Sequence, residues 1–352
     1  MSDHQPVLVV GQGPAGAATA LFLARLGIEV VAVDRQPKSG LQIGESLPPD
    51  AAELLRQLGV WEDFNEAGHE KCYGNKSYWH GEQVQYHDFL QHPQGHGWHI
   101  DRSGFEHMLR RHVAASGAEV NLNTKILGLH GDGPWEVEMQ SAGGPVQRRG
   151  FSYIVDATGR NSWVARHMGV DRLYEDRQLA LVAFADIKEG FHDTTSLVET
   201  VGQGWWYSAQ IPGQRMATAY FFQNEAHLRP RMTCEADWWA LAAQAGPTLD
   251  RLRSSGFEML EPARFVAADS GILERLTGKG WLAVGDAAMT YDPLASHGLM
   301  MSMVSGRDAA HAIQAAMGGQ HDAFEAYGQR LYQAFMAYSE LRAQFYSSVA
   351  TK

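Results

Sequence analysis

Cysteine is scarce in this chain of 352 residues, which has only Cys72 and Cys234. Two cysteines so far apart predict no disulfide framework and no CxxC site. Long apolar runs are also lacking, because none approaches the roughly 18 residues that a membrane-spanning helix needs. The first predicted strand begins at Val7, which leaves no room for a signal peptide. We therefore expect a protein of the reducing cytoplasm that does not act at a membrane.

Basic residues are in deficit, since 29 lysines and arginines stand against 40 aspartates and glutamates, for a formal net charge of -11. A nucleic-acid partner would need clustered Lys and Arg to neutralise phosphates, so the composition excludes nucleic acid as the main partner. The sequence also has no internal repeat, charge block, P-loop or Ser/His/Asp arrangement. What remains is a globular protein whose length suits one large α/β core or two joined lobes.

Three histidines, His92, His96 and His99, lie close together in one predicted loop. The intervening proline and glycines argue against a shared helical face, and no carboxylate or thiol lies in register with them. The sequence therefore predicts no metal site.

An amino-terminal segment has the pattern of a nucleotide-binding β-α-β unit. Val7–Val10 is a continuous apolar run, as a strand buried on both faces requires. Gly11, Gly13 and Gly16 follow at G-x-G-x-x-G spacing, which provides a tight turn, close approach of a pyrophosphate and close packing of helix on strand. The helix predicted over 15–26 would point its unpaired N–H groups and the positive end of its dipole at that phosphate.

An acidic residue completes this unit. Gly27 ends the predicted helix, a second apolar strand covers 28–33, and Asp34 closes it. Asp34 is placed to accept a hydrogen bond from a ribose hydroxyl. The bracketing strands, helix and acid make the motif far more specific than the glycines alone, so a turn without a ligand is the less favoured alternative.

Two later segments repeat the order of strand, tight turn of small residues and helix. Residues 152–155 run into Asp156-Ala157-Thr158-Gly159, and residues 281–284 run into Gly285-Asp286. After the second of these come Asp292-Pro293 and an apolar helix predicted over 300–316. Three such turns on one sheet suit a long cofactor that is held along its length.

In this order and spacing, these motifs resemble the glutathione-reductase-type FAD proteins, in the branch of single-component aromatic hydroxylases and flavin-dependent halogenases. The resemblance implies an α/β fold with an FAD-binding Rossmann-like lobe, a β-sheet lobe that covers the substrate and a C-terminal helix. It also implies FAD as the cofactor. The cofactor-binding residues that it implies are Gly11, Gly13, Pro14, Ala15, Gly16, Asp34, Arg35, Gly44, Glu45, Ser46, Arg102, Asp156, Gly159, Gly285, Asp286, Pro293, Gly298, Leu299 and Met300.

Within that set, the resemblance implies distinct roles. Asp34 would bind the adenosine ribose, the segment at Asp156 would lie beside the pyrophosphate, and Asp286 would bind the ribityl chain. Pro293 would lie near the flavin ring. The backbone at 298–300 would reach the pyrimidine edge of that ring.

Stretches outside these motifs narrow the branch. They are GESLPPDA from Gly44, HEKCYGNKSYW from His69, GHGWHIDRSGFEHML from Gly95, GWWYSAQIP from Gly204 and GDAAMTYDPLASHGL from Gly285. Together they resemble the flavoproteins that mature tryptophylquinone cofactors of glycine and lysine oxidases. This resemblance implies an FAD-dependent monooxygenase that hydroxylates a tryptophan residue of a precursor amine or amino-acid oxidase. The precursor would then be both substrate and partner.

Two alternatives stay open. The chain could be an aromatic hydroxylase or halogenase acting on a small aromatic molecule, because halogenases carry a W-x-W-x-I-P segment similar to residues 205–212. A halogenase also needs a lysine several residues before a tryptophan, for which Lys71 and Lys76 ahead of Trp79 are candidates. The second alternative is an FAD-containing chaperone for the precursor. Because one dinucleotide fold is visible, electrons must come from transiently docked NAD(P)H or from a separate flavin reductase.

Oxygen activated on a flavin must be kept from water, which predicts an apolar pocket over the ring. Strand-like runs between residues 179 and 222 would form a covering sheet. Trp205, Trp206 and Tyr207 are candidates for the lining of the substrate pocket. The alternative is that they pack only between sheet and helix.

Three residues are candidates for catalysis. His297 is the best placed by sequence, beside the predicted flavin edge, where it could assist proton transfer. It could instead only cap loop backbone. Glu45 is a further candidate base, and Lys71 is the candidate that the halogenase comparison adds.

The motifs divide the chain into three parts. We expect a discontinuous FAD-binding lobe over 1–75, 97–169 and 271–318. A substrate and cover lobe would take 76–96 and 170–270. Residues 319–352 would hold an amphipathic C-terminal helix, predicted over 321–349 from its aromatic periodicity.

Overall fold

The computed structural model describes residues 5–35, 40–79, 83–227, 229–230, 232, 234–296 and 298–350. Helices and strands are numbered in chain order. The helices of this described part are α1 (Pro14–Arg25), α2 (Ala51–Leu58), α3 (Trp61–Glu66), α4 (Arg102–Ala115), α5 (Trp163–His167), α6 (Glu235–Ala242), α7 (Pro247–Ser255), α8 (Gly298–Met317) and α9 (Ala323–Ala350). Short 3-10 helices cover Gly159–Asn161, Gly285–Ala287 and Pro293–Ala295.

A six-stranded sheet carries the glycine-rich turn. In spatial order its strands are β21 (Thr277–Gly278), β22 (Trp281–Ala283), β12 (Tyr153–Asp156), β1 (Val7–Val10), β2 (Val30–Asp34) and β8 (Glu119–Leu122). All except β21 run parallel to their neighbours. The carboxyl ends of β1, β2, β12 and β22 therefore meet at one edge of the sheet, where such folds place their ligands.

Helices α1 and α8 pack closely against each other behind that edge. A Cβ atom on Gly306 of α8 would lie 2.6 Å from the carbonyl oxygen of Ala15 in α1. The absence of a side chain at Gly306 lets the two backbones approach. The main apolar core joins both helices to the fully buried strands β1 and β2.

An eight-stranded sheet forms the second large unit. Its spatial order is β18 (Glu258–Met259), β14 (Gln178–Asp186), β17 (Arg215–Gln223), β16 (Gly204–Ile211), β15 (Thr195–Val201), β5 (Gly74–Tyr78) and β6 (Gln85–Asp88), with β19 (Arg264–Ala267) beside β14. One face of this sheet packs on α6 and α7. The other face meets loops of the first unit through Leu41, Ile43 and Leu294. We call this second face the inner face.

Three further sheets have three strands each. They are β3 (Ser46–Leu47), β7 (Gly97–His99) and β4 (Glu70–Cys72); β9 (Thr124–Gly131), β10 (Trp135–Ser141) and β11 (Val146–Phe151); and β13 (Arg172–Tyr174), β20 (Gly271–Leu273) and β23 (Met289–Thr290). The first small sheet brings the loop at Gly44 beneath the inner face, because β3 directly follows that loop.

The α/β class with a covering sheet and a C-terminal helix is confirmed. The predicted helices over 15–26, 300–316 and 321–349 match α1, α8 and α9 within two residues at each end. The division into lobes stays a prediction, and two details bear on it. Strand β5 of the large sheet begins at Gly74, within the predicted FAD-binding segment 1–75. Strand β13 lies in the predicted cover segment 170–270 but pairs with β20 rather than with the large sheet. Among the described residues, no helix is both long and apolar enough to cross a membrane.

Candidate functional site

The glycine-rich turn after β1 is tight for two of its glycines and open at the third. Gly11 has φ +108°, and a Cβ there would lie 2.2 Å from the carbonyl oxygen of Ala157. A Cβ on Gly16 would lie 1.9 Å from the carbonyl oxygen of Gly11. A Cβ on Gly13 would meet no atom within 4 Å, although Gly13 is the N-cap of α1. The fold itself thus requires Gly11 and Gly16, whereas Gly13 leaves open space before a helix N-terminus that can hold a phosphate.

The acid that ends β2 is oriented toward this turn. The backbone N–H of Gln12 donates to Oδ2 of Asp34 at 2.8 Å. The side-chain oxygen of Gln12 is buried and has no hydrogen-bond partner within the described chain. A buried acceptor without a donor is costly, so a ligand that donates to it fits this position. Arg35 follows on the exposed side of the strand end.

The surroundings of Asp156 correct the expectation that its side chain binds the cofactor. Its carboxylate is fully buried and accepts from the N–H and hydroxyl of Thr158 at 3.0 and 2.6 Å and from the N–H of Ala165 at 2.9 Å. Burial raises the pKa of this carboxyl, and its hydrogen bonds oppose that shift. Because these bonds occupy both of its oxygens inside the protein, Asp156 holds the turn in shape and does not present its carboxylate to a ligand.

The third turn lies directly against the first. Gly285 has φ +55°, and a Cβ there would lie 2.7 Å from Cβ of Ala15. Asp286, the next residue, keeps 44% of its side chain exposed, and its Oδ2 lies 3.7 Å from Nε of Arg160. Arg160 follows Gly159, which has φ +64°. The turns after β12 and β22 therefore converge on the glycine-rich turn and leave the Asp286 carboxylate accessible.

The loop before α8 extends this edge. The Asp292 side chain caps it by accepting from the N–H of Leu294 at 2.8 Å, and Pro293 opens the 3-10 turn that follows. Helix α8 then begins at Gly298, where a Cβ would meet no atom within 4 Å. Leu299 is buried and Met300 packs against the main core, so only their backbone can serve a ligand. His297, the first candidate acid–base residue, lies outside the described residues.

Arg102 braces the loop at Gly44. Its Nη1 donates to the carbonyl oxygen of Gly44 at 3.0 Å, and its Nε donates to Oε1 of Glu106 at 2.8 Å. Gly44 itself has φ +97°, a conformation that suits glycine. The guanidinium therefore fixes the position of the residues that follow, Glu45 and Ser46.

Glu45 is the buried acid of this site. Its side chain is 2% exposed, and its Oε2 accepts the N–H of Gly44 at 2.9 Å. Burial raises the pKa of the Glu45 carboxyl, although a hydrogen bond with Tyr207 opposes the shift. Burial and the nearby carboxyl also raise the pKa of the Tyr207 phenol well above its usual value. The Tyr207 hydroxyl lies 2.9 Å from Oγ of Ser46, so hydrogen bonds join the loop to the inner face.

The three predicted pocket residues do not share one face. Trp205 and Tyr207 belong to the inner-face cluster, where Trp205 stacks on Phe221 with ring centroids 4.0 Å apart. Trp206 packs on the opposite side, edge-on to Trp238 of α6 at 5.0 Å. Side chains alternate along a strand, so Trp206 cannot line the same wall as its neighbours. The expectation that all three line one pocket is wrong for Trp206.

Of the two candidate lysines, one is exposed to solvent and the other is held in an ion pair. Lys71 is exposed on β4. Lys76 lies 3.6 Å from Asp193, with which it forms an ion pair. The exposure of Lys71 argues against a place for it in an enclosed pocket, and its catalytic role stays a prediction.

A buried polar cluster behind Tyr207 has no counterpart in the sequence analysis. Arg251 of α7 donates to the carbonyl oxygens of Ser208 at 3.0 Å and Thr195 at 2.7 Å, and lies 3.4 Å from Asp193. His99 shares a hydrogen bond of 2.9 Å with Ser196. Burial, reinforced by Arg251, lowers the pKa of His99 to about 3, so its ring is neutral. Within the described chain, no three metal-ligating side chains converge.

The C-terminal helix α9 contributes a second set of contacts that the sequence analysis did not predict. Tyr346 donates to Oδ2 of Asp292 at 2.8 Å, and Nε of Arg342 lies 3.2 Å from the same oxygen. The hydroxyl of Tyr338 accepts the N–H of Asp292 at 2.5 Å. The aromatic periodicity of the tail predicts a helix but not the loop that it touches, since that choice depends on tertiary packing.

Taken together, the edge offers open space at a helix N-terminus, an accessible acid at Asp286 and a brace at Arg102. These suit an extended dinucleotide. The inner face adds an apolar aromatic wall and a buried carboxyl at Glu45 that can exchange a proton.

Comparisons with known proteins agree with this geometry. A family model described as FAD binding domain matches residues 4–336. The protein LodB of Marinomonas mediterranea, named as an FAD-dependent oxidoreductase, is 26% identical over 98% of this chain and 93% of its own length. A tryptophan 2-halogenase of Chondromyces crocatus is 27% identical over 98% of this chain and 68% of its own length.

Solved structures share the fold. The flavin-dependent halogenase CmlS superposes with a TM-score of 0.90 at 23% identity, over 99% of this chain and 66% of its own. QhpG, a peptidyl tryptophan dihydroxylase essential for tryptophylquinone cofactor biogenesis, superposes with a TM-score of 0.77 at 23% identity, over 98% of this chain and 75% of its own.

Proposed function

The chain belongs to the FAD binding domain family, and we propose that it is a monooxygenase that hydroxylates a tryptophan residue of a precursor oxidase during tryptophylquinone biosynthesis. It is an FAD-dependent oxidoreductase of the flavin-dependent halogenase and monooxygenase superfamily. The similarity to LodB over nearly the whole of both chains and the fold shared with QhpG support the finer proposal.

The placement of the lysines is the observation that favours oxygen transfer over halogenation. Lys71 faces solvent, and Lys76 pairs with Asp193. The inner face instead carries a buried carboxyl at Glu45, hydrogen-bonded to Tyr207 beside apolar rings. This wall can exclude water and hold an electron-rich ring.

When bound and reduced, FAD supplies the activation of O₂. In the net reaction, one oxygen atom is inserted into a C–H bond of the indole ring as a hydroxyl group, which oxidises the ring by two electrons. The other oxygen atom leaves as water after it has taken two electrons, from NAD(P)H or from a separate flavin reductase, and two protons, at least one of them from solvent. The residues of this chain bind the dinucleotide at Gly13 and Asp286 and position the loop through Arg102. Glu45 exchanges the proton of the ring at its carboxyl oxygen.

A halogenase acting on a small aromatic molecule is the second candidate. The 27% identity to tryptophan 2-halogenase over 98% of this chain favours it. A halide-dependent product from free tryptophan separates this candidate from the first.

The experiment is co-expression of this chain with a precursor amine or amino-acid oxidase, under oxygen-18 gas. We expect one labelled oxygen in a precursor tryptophan for each hydroxylation, seen by mass spectrometry, and none when this chain is omitted. Unlabelled but fully matured precursor, or maturation without any electron donor, would indicate a chaperone instead. Brominated free tryptophan in bromide-containing medium would replace the proposal by the halogenase.

A further inference from the structure

The last turns of α9 insert one aromatic residue at the inner face. The Tyr346 hydroxyl donates to Oδ2 of Asp292 at 2.8 Å and accepts from Nε1 of Trp205 at 3.0 Å and from Nε2 of Gln178 at 3.2 Å. A single phenol therefore joins the loop before α8 to strands β14 and β16. The Tyr346 ring packs against the inner-face cluster.

Aromatic rings surround this position. The rings of Trp79 and Tyr346 meet edge-on with centroids 5.6 Å apart, and Trp79 lies 6.3 Å from Trp205. Nε1 of Trp79 donates to the carbonyl oxygen of Phe345 at 3.1 Å. The space that the Tyr346 ring fills is thus shaped for a planar aromatic group whose polar edge points at Asp292.

This end of the helix is held differently from the rest of α9. Tyr327, Leu331 and Phe335 are buried in the main core. Beyond Arg342 every described side chain is exposed except that of Tyr346, which is half-buried, and Phe345 is 56% exposed. The hydrogen bonds of Tyr346 and of the Phe345 carbonyl hold these last turns, so a ring that replaces the Tyr346 contacts can release them while the first five turns remain docked.

We propose that Tyr346 occupies the subsite for an aromatic side chain of a protein substrate, and that the turns after Arg342 leave when that side chain enters. An indole presents the same features as the phenol, namely a flat ring and an N–H that can donate to Asp292. This inference rests on the proposed function, because it takes a tryptophan in a protein as the group that arrives.

The test is binding of N-acetyl-L-tryptophanamide to the FAD-loaded full chain, measured by isothermal titration calorimetry without turnover. Tyr346→Ala removes the competing ring, so we expect the probe to bind ~10-fold or more tightly than to the unaltered protein. Tyr332→Ala is the matched control, because Tyr332 is an exposed tyrosine of the same helix, and we expect it to leave affinity unchanged. Equal affinity in Tyr346→Ala and the unaltered protein would overturn the subsite.

Hydrogen exchange on the unaltered protein decides the question even where Tyr346→Ala fails to fold. Saturating probe should speed exchange of the backbone amides of 343–347 and leave those of 327–335 unchanged. Slower or unchanged exchange at 343–347 overturns the displacement. If the probe binds as expected but the precursor tryptophan takes up no labelled oxygen, the proposed function fails and the subsite does not. Failure of the subsite and failure of the proposed function are therefore distinguishable.

Discussion

Three buried carboxyls surround the site, and each is held by different partners. Asp156 is bonded to the backbone of its own turn, Asp292 to the loop before α8 and to α9, and Glu45 to Gly44 and Tyr207. Burial raises the pKa of all three. Glu45 and Asp292 both reach the inner face, through Tyr207 and Tyr346, but Asp292 is also paired with Arg342. At the scale of single residues, Glu45 is the one best suited to change its protonation state during a reaction.

We predict that Glu45→Gln changes how stability depends on pH. The folded-state pKa of Glu45 lies above 4.5, so its contribution to stability is fully present below pH 4.5 and is lost as pH rises through the folded-state value. Glutamine keeps the acceptor for the Gly44 N–H and cannot ionise. The free energy of unfolding of Glu45→Gln should therefore rise relative to the unaltered protein as pH increases, by at most about 1.4 kcal/mol per pH unit. Urea unfolding of FAD-loaded protein at a series of pH values measures this.

The control for this prediction is Glu53→Gln, because Glu53 is exposed on α2. Its curve should run parallel to that of the unaltered protein. A Glu45→Gln curve that also runs parallel would mean that Glu45 ionises normally in the folded state.

In the turn between β1 and α1, the fold requires one glycine and a bound ligand would require another. Gly16 has no room for a Cβ, because the carbonyl oxygen of Gly11 would lie 1.9 Å away. Gly13 has room, because no protein atom lies within 4 Å. The same motif thus contains one glycine for packing and one for a bound phosphate.

We predict that Gly16→Ala lowers the stability of the protein and that Gly13→Ala weakens its FAD binding. Gly16→Ala should lower the free energy of unfolding by about 1–3 kcal/mol, as overpacking does. Gly13→Ala should leave stability of the FAD-free protein within about 0.5 kcal/mol and weaken FAD affinity by ~10-fold or more. Urea unfolding and flavin-fluorescence titration measure the two quantities, and each variant is the control for the other. Undiminished FAD affinity in Gly13→Ala would exclude close approach of the cofactor there.

Helix α9 ties the two large sheets together at the scale of the whole molecule. Arg342 pairs with Asp176, which precedes β14 of the large sheet, and with Asp292 of the loop before α8. Both carboxylates are almost fully buried. One guanidinium on α9 therefore neutralises acids from both halves of the site.

We predict that Arg342→Met destabilises the whole protein, because it leaves two buried acids without their cation. Loss of one partner of a buried ion pair costs about 3–5 kcal/mol, measured as the change in free energy of unfolding in urea. Arg330→Met, on an exposed position of the same helix, is the control and should stay within about 0.5 kcal/mol. Equal stability of the two variants would show that the Arg342 network does not hold α9 in place.

The sequence by itself determined the parts of this protein that depend on near neighbours in the chain. The spacing of Gly11, Gly13 and Gly16 fixes a turn, the apolar run before it fixes a buried strand, and the aromatic periodicity after residue 321 fixes a helix. Backbone conformation in such segments is limited by sterics and by hydrogen bonds a few residues apart. The α/β class and the approximate ends of α1, α8 and α9 follow from these features, whereas FAD as the cofactor came from the resemblance of the motifs to a known family.

Only the tertiary structure decided which side chains meet. In the folded chain Trp206 packs on the opposite face from Trp205, and Lys71 is exposed. The oxygens of Asp156 accept hydrogen bonds from nearby backbone, and Tyr346 contacts Asp292 from 54 residues away. These outcomes depend on strand register, on the order of strands in a sheet and on which helix covers which face. Such contacts join segments far apart in the chain, so their geometry is set by the packing of the complete core and not by local spacing.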